Sequence, residues 1–168
     1  IDNQYFLEPG DLRVREELVE RVGEILKTYP RLDGILFDYV RYPDAHPAYG
    51  YTPMNRERFK KATGFKKIKE GSSEWNDWKR RQVTSLLKQL VQKARALNPR
   101  MQVAATGCAP YVRAYHEAFQ DWPSWLDSRL VDFVVVMTYF PDAQAFQKYS
   151  LEAKKKALSS DEKEILDR

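Results

Sequence analysis

Cysteine is almost absent from this chain, with Cys108 alone. A single thiol excludes an internal disulfide and a Cys-rich zinc site. Histidine is nearly as scarce: His46 and His116 are the only two, and both lie in segments that read as loops. Nothing places either beside Cys108, so the thiol reads as a small packing residue rather than a nucleophile. No apolar run approaches the roughly 20 residues that cross a bilayer, so no membrane insertion is expected. The start, Ile1-Asp2-Asn3-Gln4, has neither a basic segment nor an apolar core. It lacks the features of a leader peptide and reads as a processed or truncated start, which leaves the compartment open. No Gly-rich loop precedes a Lys-Ser/Thr pair, and no Gly-x-Ser-x-Gly elbow is present, which excludes P-loop and nucleophile-elbow chemistry. Asp38 and Asp44 offer oxygens to a hard cation, but no other ligand stands at a cluster spacing. No metal and no cofactor are expected.

Charge is present in both signs, with 28 Lys and Arg against 24 Asp and Glu, a net charge of +4. Lysines cluster at Lys60-Lys61, Lys66-Lys67-Lys69 and Lys154-Lys155-Lys156. Such runs suit an anionic polymer or simply a solvated helix face. Interleaved acids and the lack of any nucleic-acid motif favour the solvated face, so no nucleic-acid partner is expected. The rings of Trp75, Trp78, Trp122 and Trp125 fit stacking on sugars and fit core packing equally well.

At 168 residues the chain is long enough for one domain with a sizeable core. Helical and strand patterns alternate along it. Residues 11–28 read as an amphipathic helix capped by Asp11, with Val14, Leu18, Val22, Ile25 and Leu26 on one face. Tyr29-Pro30 ends it. Gly34-Ile35-Leu36-Phe37 is a short strand, apolar at consecutive positions as a strand buried on both faces would be. A long loop from Tyr39 to about Pro53 follows, the kind of loop that is usually functional or disordered. A short helix from about Asn55 to Thr63, closed by Gly64, and a long one from Ser73 to near Leu97 come next. Met101–Thr106 is the second strand. After a loop and a helical turn at Trp122–Leu126, Asp132–Tyr139 is the third. A polar helix from about Asp142 to Leu158 and a charged tail close the chain. Strands separated by helices predict parallel βα units. Three strands are too few for a (β/α)8 barrel, which takes eight strands and about 250 residues. The pattern therefore predicts a small open sheet or part of a barrel, with no internal repeat and no second domain.

In parallel α/β folds chemistry collects where strands end. The first strand is followed by Asp38-Tyr39-Val40-Arg41-Tyr42-Pro43, the second by Thr106-Gly107-Cys108, the third by Thr138-Tyr139-Phe140-Pro141-Asp142. Asp38 stands out because it follows four apolar residues, where a charge needs a partner or a purpose. It reads as a nucleophile or charge stabiliser, or else as a structural ion pair, and Arg41 is close enough in sequence to hold it ionised. Hydrolysis of a glycosidic bond needs a second carboxyl group. Candidates are Asp121, Glu117, Asp142, Asp44 and Glu8. Asp121 is best placed in Gln120-Asp121-Trp122, although Asp before Trp-Pro also suits a helix cap. No glutamate stands at a strand end.

The segment Leu32-Asp33-Gly34-Ile35-Leu36-Phe37-Asp38-Tyr39-Val40-Arg41-Tyr42-Pro43 resembles bacterial family-10-like glycosylhydrolases, glycosyl-hydrolase-like TIM barrels with an Asp-Gly-Ile-x-x-Asp-x-x-x-Tyr-Pro signature at the fourth barrel strand. Leu7-Glu8-Pro9-Gly10 with Val14-Arg15, Trp78–Val83, Gln120-Asp121-Trp122 and Val131 through Tyr139 are similar to further segments of that family, in order, over residues 5–150. The resemblance implies an α/β fold of parallel βα units holding about strands four to six of a (β/α)8 barrel, a single partial domain over residues 1–168. It implies a glycoside hydrolase-like domain acting on polysaccharide or cell-wall glycan, extracytoplasmic or secreted, with the rest of the barrel lying outside this chain. Carried onto matching positions, Asp38 is the catalytic carboxylate, and Arg41, Tyr42, Arg80, Asp121 and Tyr139 line the substrate-binding cleft. In the hydrolase reading Asp121 is the acid/base partner, and Arg41, Tyr42, Trp122 and Tyr139 position sugar. A non-catalytic glycan-binding barrel is the alternative, favoured by the missing strand-end glutamate. A fragment of this kind is expected to be inactive alone and to associate through exposed strand edges.

Overall fold

The structure is a computed structural model that describes residues 6–158 apart from Ala45 and Pro47. The Ile1–Gln4 start and the charged tail lie outside the described residues. The elements run α1 (Leu12–Thr28), β1 (Gly34–Phe37), α2 (Pro53–Thr63), α3 (Ser73–Leu97), β2 (Gln102–Cys108), α4 (Tyr111–His116), α5 (Trp122–Asp127), β3 (Phe133–Met137) and α6 (Ala143–Ala157).

Local chemistry starts most of these helices. Asp11 caps α1 by accepting from the Arg13 amide at 2.9 Å. Thr52 caps α2, Ser72 caps α3 and Asp142 caps α6 in the same way. Gly64, at φ 76°, takes the left-handed conformation that closes α2. The Thr52 cap and Pro53 at the first turn put the start of α2 two residues before Asn55, the expected start.

The strands form one parallel sheet in the order β1-β2-β3, with Gly34 opposite Gln102 and Ala104 opposite Phe133. β2 runs to Cys108, two residues beyond the expected Thr106, because Gly107 and Cys108 pair with Val136 and Met137. β3 is correspondingly shorter than Asp132–Tyr139. The short helix α4 falls where a loop was expected. Its six residues follow Pro110 and carry no apolar period long enough to read.

One expectation is overturned. The consecutive apolar residues of β1 predicted burial on both faces, yet among the described residues its outer face and that of β3 stay uncovered. Ile35, Phe37, Val103, Ala105, Val134 and Val136 point into a core built with Val22 and Leu26 of α1, Val83 to Ala94 of α3, Trp122 and Trp125 of α5, and Ala153 of α6. The alternate side chains point the other way. Leu36 is 50% exposed, Phe133 49% and Val135 44%. The physical reason is connectivity: each crossover returns its helices to the same side of the sheet, the arrangement of a singly wound, barrel-type sheet rather than a doubly wound one. This α/β architecture, three parallel strands with one helical layer, is consistent with part of a TIM-barrel-like fold.

Candidate functional site

Asp38 follows β1 and shares the phase of Leu36, so it stands on the uncovered face at the carboxyl end of the strand. Its Oδ1 accepts from the Thr106 hydroxyl at 2.7 Å and from the Tyr39 amide at 2.7 Å. Thr106 is opposite it on β2, one step beyond the Phe37–Ala105 pair. Tyr39 has φ 56°, a left-handed conformation uncommon for a tyrosine. Strained backbone of this kind gathers at functional sites.

Arg41 does not hold Asp38, contrary to expectation. Its Nη1 donates to Asp44 at 2.6 Å, and the second Asp44 oxygen takes Arg113 from α4. The chain turns sharply after Asp38, and that turn carries the guanidinium over the Tyr39 ring, 4.5 Å from its centroid, and towards Asp44 instead. Asp44 is thereby matched by two cations, which suits it to a structural role rather than proton transfer. The Arg41 Nε is buried without a hydrogen-bond partner. Cys108 lies beside this cluster and is buried, and burial pushes its thiol pKa up, the opposite of an activated nucleophile.

Behind Asp38 the long loop is anchored by a buried polar network. The Tyr42 hydroxyl donates to Glu8 Oε1 at 2.5 Å, and the Gly10 amide donates to the same oxygen at 2.9 Å. Asn55 reaches that oxygen from 3.4 Å, donates to the Gly50 carbonyl at 2.7 Å and accepts from the Trp78 indole at 2.7 Å. Lys79 runs past Gly50 and ends 3.4 Å from the centroid of the Phe119 ring, with Tyr42 and Tyr51 also near. A Cβ on Gly50 would meet Lys79 Cδ at 2.8 Å, and its φ of 99° also favours glycine. Burial raises the Glu8 pKa, and the hydrogen bonds from Tyr42 and Gly10 with the charge of Lys79 reverse that only in part. Burial pushes Lys79 down to about 8 against the opposing pull of Glu8.

The remaining expected site residues are dispersed. Tyr42 and Trp122 are buried and offer no ring face to solvent. Trp122 donates its indole N–H to the Cys108 carbonyl at 3.1 Å and packs where a Gly107 side chain would otherwise stand. Asp121 precedes α5 and accepts from the Tyr111 hydroxyl at 2.7 Å, without making the expected cap hydrogen bond. It faces the helix layer beside Thr84 and Ser85 of α3, whereas Asp38 faces away from that layer. Arg80 pairs with Asp77, donates to the Tyr115 carbonyl at 2.9 Å, and stacks on the Tyr115 ring. Tyr139 is 86% exposed at the end of β3. Among the described residues, no group of three or more His, Cys, Asp or Glu side chains could hold a metal ion. None of their helices is long and apolar enough to cross a membrane.

A family model described as Glycosyl hydrolase-like 10 matches residues 1–165. The chain belongs to this glycosyl hydrolase-like family. Among its curated relatives is Glycosyl hydrolase DigH of Escherichia coli strain K12, 20% identical over 166 residues that make up 90% of this chain and 36% of that protein. DigH of Shigella flexneri matches equally. Glycosyl hydrolase YngK of Bacillus subtilis strain 168 is 24% identical over 156 residues, 82% of this chain and 28% of that protein. The chain thus spans about a third of the length of the relatives it matches.

In this glycosyl hydrolase-like domain, sequence reasoning passed over three side chains that hold the strand ends together. Gln120, fully buried, donates to the Thr106 carbonyl at 2.9 Å and the Val40 carbonyl at 3.2 Å, and accepts from the Cys108 amide at 2.8 Å. Thr106 and Lys79 are the others. A buried amide beside a candidate acid was the available signal for Gln120. For Lys79 it was a cation on the apolar stripe of α3, between Trp78 and Val83. Membership of this glycosyl hydrolase-like family suggests a glycan-related function.

Proposed function

We propose that this chain carries the catalytic carboxylate of a glycoside hydrolase acting on polysaccharide or cell-wall glycan, and that the carboxylate is Asp38. The observation that carries the reading is its placement: a carboxylate at the carboxyl end of a parallel strand, on the open face, fixed by Thr106 and by a strained Tyr39. There it would act as a nucleophile or stabilise an oxocarbenium-like transition state. Arg41 and Tyr139 would position sugar from the same strand ends. Tyr42 and Trp122 would act from beneath, holding the loop and the strand tips.

The proton donor is a separate matter. Asp121 is turned to the helix layer, Asp44 is matched by two arginines, and one Glu8 oxygen is taken by Tyr42. Glu117 is exposed beyond the end of α4, and Asp142 caps α6. We infer that the acid stands on a strand supplied by further polypeptide, closing the barrel over the open face of this sheet. Its separation from Asp38 would then set the outcome: about 5–5.5 Å for retention and about 6.5–9.5 Å for inversion.

The test is Asp38→Asn in the full-length polypeptide. Turnover of glycan is expected to fall by at least ~10²-fold while glycan binding persists. A variant that keeps parental turnover overturns the assignment. Binding without turnover in the parent itself would point to the non-catalytic glycan-binding barrel.

A further inference from the structure

Arg80 and Asp121 do not join Asp38, but they do meet each other. Both line a groove of about 520 Å³ on the helix side, between α3 and the α4–α5 segment. We propose that this groove is a second, non-catalytic saccharide site, which takes a neutral, polyhydroxylated ligand such as a stretch of glycan chain; the inference rests on the glycan reading above.

The lining sets this groove apart from two others on the surface. Those include aliphatic side chains, Leu12 and Val19 in one, and Val91, Ala96 and Leu130 in the other. This one has none: its walls are charged groups, the hydroxyls of Thr84, Ser85 and Ser124, and the Tyr115 ring. Its formal charge balances, with Arg80 and Arg81 against Asp77 and Asp121. A balanced field gives no advantage to a phosphate, an acidic polymer or a cation. It does suit hydroxyls, which donate and accept at once.

Some of these groups are fixed and others are open. Arg80 is held by Asp77, the Tyr115 carbonyl and the Tyr115 ring. Thr84 accepts from the Trp125 indole at 2.9 Å, and Ser124 donates to the Asp121 carbonyl at 2.7 Å. Asp121 is oriented by Tyr111 through one oxygen, which leaves its Oδ2 without a donor among the described residues. The Arg81 guanidinium and the Ser85 hydroxyl are likewise without a hydrogen-bond partner there. An acceptor, a forked donor and a hydroxyl therefore surround one opening on a rigid frame. The volume lies within the range of small-ligand sites. All the elements that form the groove are present in this chain, so it does not depend on closure of the sheet face.

The site is tested by isothermal titration of the full-length polypeptide carrying Asp38→Asn, with cellotetraose and chitotetraose as probes. Adding Ser85→Gln, which fills the opening, should weaken at least one probe by ~10-fold or more, as should Arg81→Ala combined with Asp121→Asn. Lys88→Ala, further along α3, should leave affinity unchanged. Melting temperatures matched to the parent make the comparison valid, and Ser85→Gln, at a half-buried helix position, guards against loss of folding in the double variant. Unchanged affinity in both groove variants overturns the groove and leaves Asp38 standing. Absence of binding by either probe, in every variant, overturns the groove as a glycan site, whereas the glycan reading itself stands or falls on the turnover of Asp38→Asn.

Discussion

At the residue scale, two buried ionisable groups make opposite pH signatures. Lys79 titrates near 8 in the folded chain and near 10.5 when unfolded, so the unfolded state binds more protons between those values. Stability contributed at Lys79 therefore rises with pH across about 8 to 10.5, and the charged amine is the destabilising form below that window. Lys79→Met should flatten this rise and increase the melting temperature at pH 7; subtracting variant from parental melting curves over pH 7–10 measures it. An unaltered slope would mean that water, not aromatic rings, surrounds the amine. Glu8 works in the reverse sense. Its folded pKa is raised, so its contribution is complete below about 4.5 and fades as pH rises through the folded value. Thr106→Val removes one hydroxyl donor from Asp38, and a loss of about 1 kcal/mol, or roughly fivefold in turnover, is expected in steady-state kinetics of the full-length polypeptide. The position of Asp38 was readable from sequence because a charge after four apolar residues stands out locally. Its partner was not: Thr106 is 68 residues away and becomes a neighbour only through strand pairing. Arg41 misled for the converse reason, since closeness in sequence says nothing about the turn between two residues.

At the scale of elements, the helices and strands with long apolar periods were legible, and their caps fixed most boundaries. What was missed is what pairing decides. β2 gained Gly107 and Cys108 because β3 runs alongside them, and no propensity in Gly-Cys would predict it. The join between β1, β2 and the turn before α5 depends on Gln120. Gln120→Leu strips a donor from the carbonyls of Val40 and Thr106 and an acceptor from the Cys108 amide, all in a buried setting. A loss of about 3 kcal/mol or more is expected by denaturant melting, since each orphaned buried group costs about 1–3 kcal/mol. Gly107→Val tests the neighbouring contact. A Cβ there would stand 2.8 Å from Val134 Cγ1 and 3.1 Å from the Trp122 ring, so a further loss of about 1–3 kcal/mol is expected from overpacking.

For the molecule as a whole, the open face of the sheet is the decisive feature. Leu36 on β1 and Phe133 and Val135 on β3 are about half exposed here, flanking the smaller Ala104 and Thr106 of β2. Further strands packed over them would bury the remaining half of each, worth about half of the roughly 1.5–3 kcal/mol that full burial contributes. Val135→Asp therefore separates two situations. In a closed barrel it should destabilise the full-length polypeptide by about 3 kcal/mol or more, measured by chemical denaturation, because a carboxylate would be buried without a partner. On a surface that stays open the change would stay within about 0.5 kcal/mol. The fold class was legible from alternating elements, whereas the one-sided covering was not, because a consecutive apolar run looks the same whatever later lies against it.

The sequential strand order has a consequence for synthesis on the ribosome. Each later strand here pairs with the one made just before it, and every helix but α2 contributes to the same core. A polypeptide assembled in this order can add βα units as they leave the exit tunnel, without waiting for a distant partner. In a barrel closed by further strands, the interior face would stay open until the last of them is translated, at about 5–20 residues per second. Until then Leu36, Phe133 and Val135 would stand exposed on the open face, the last two at the unpaired edge of β3, the feature a general chaperone would meet first.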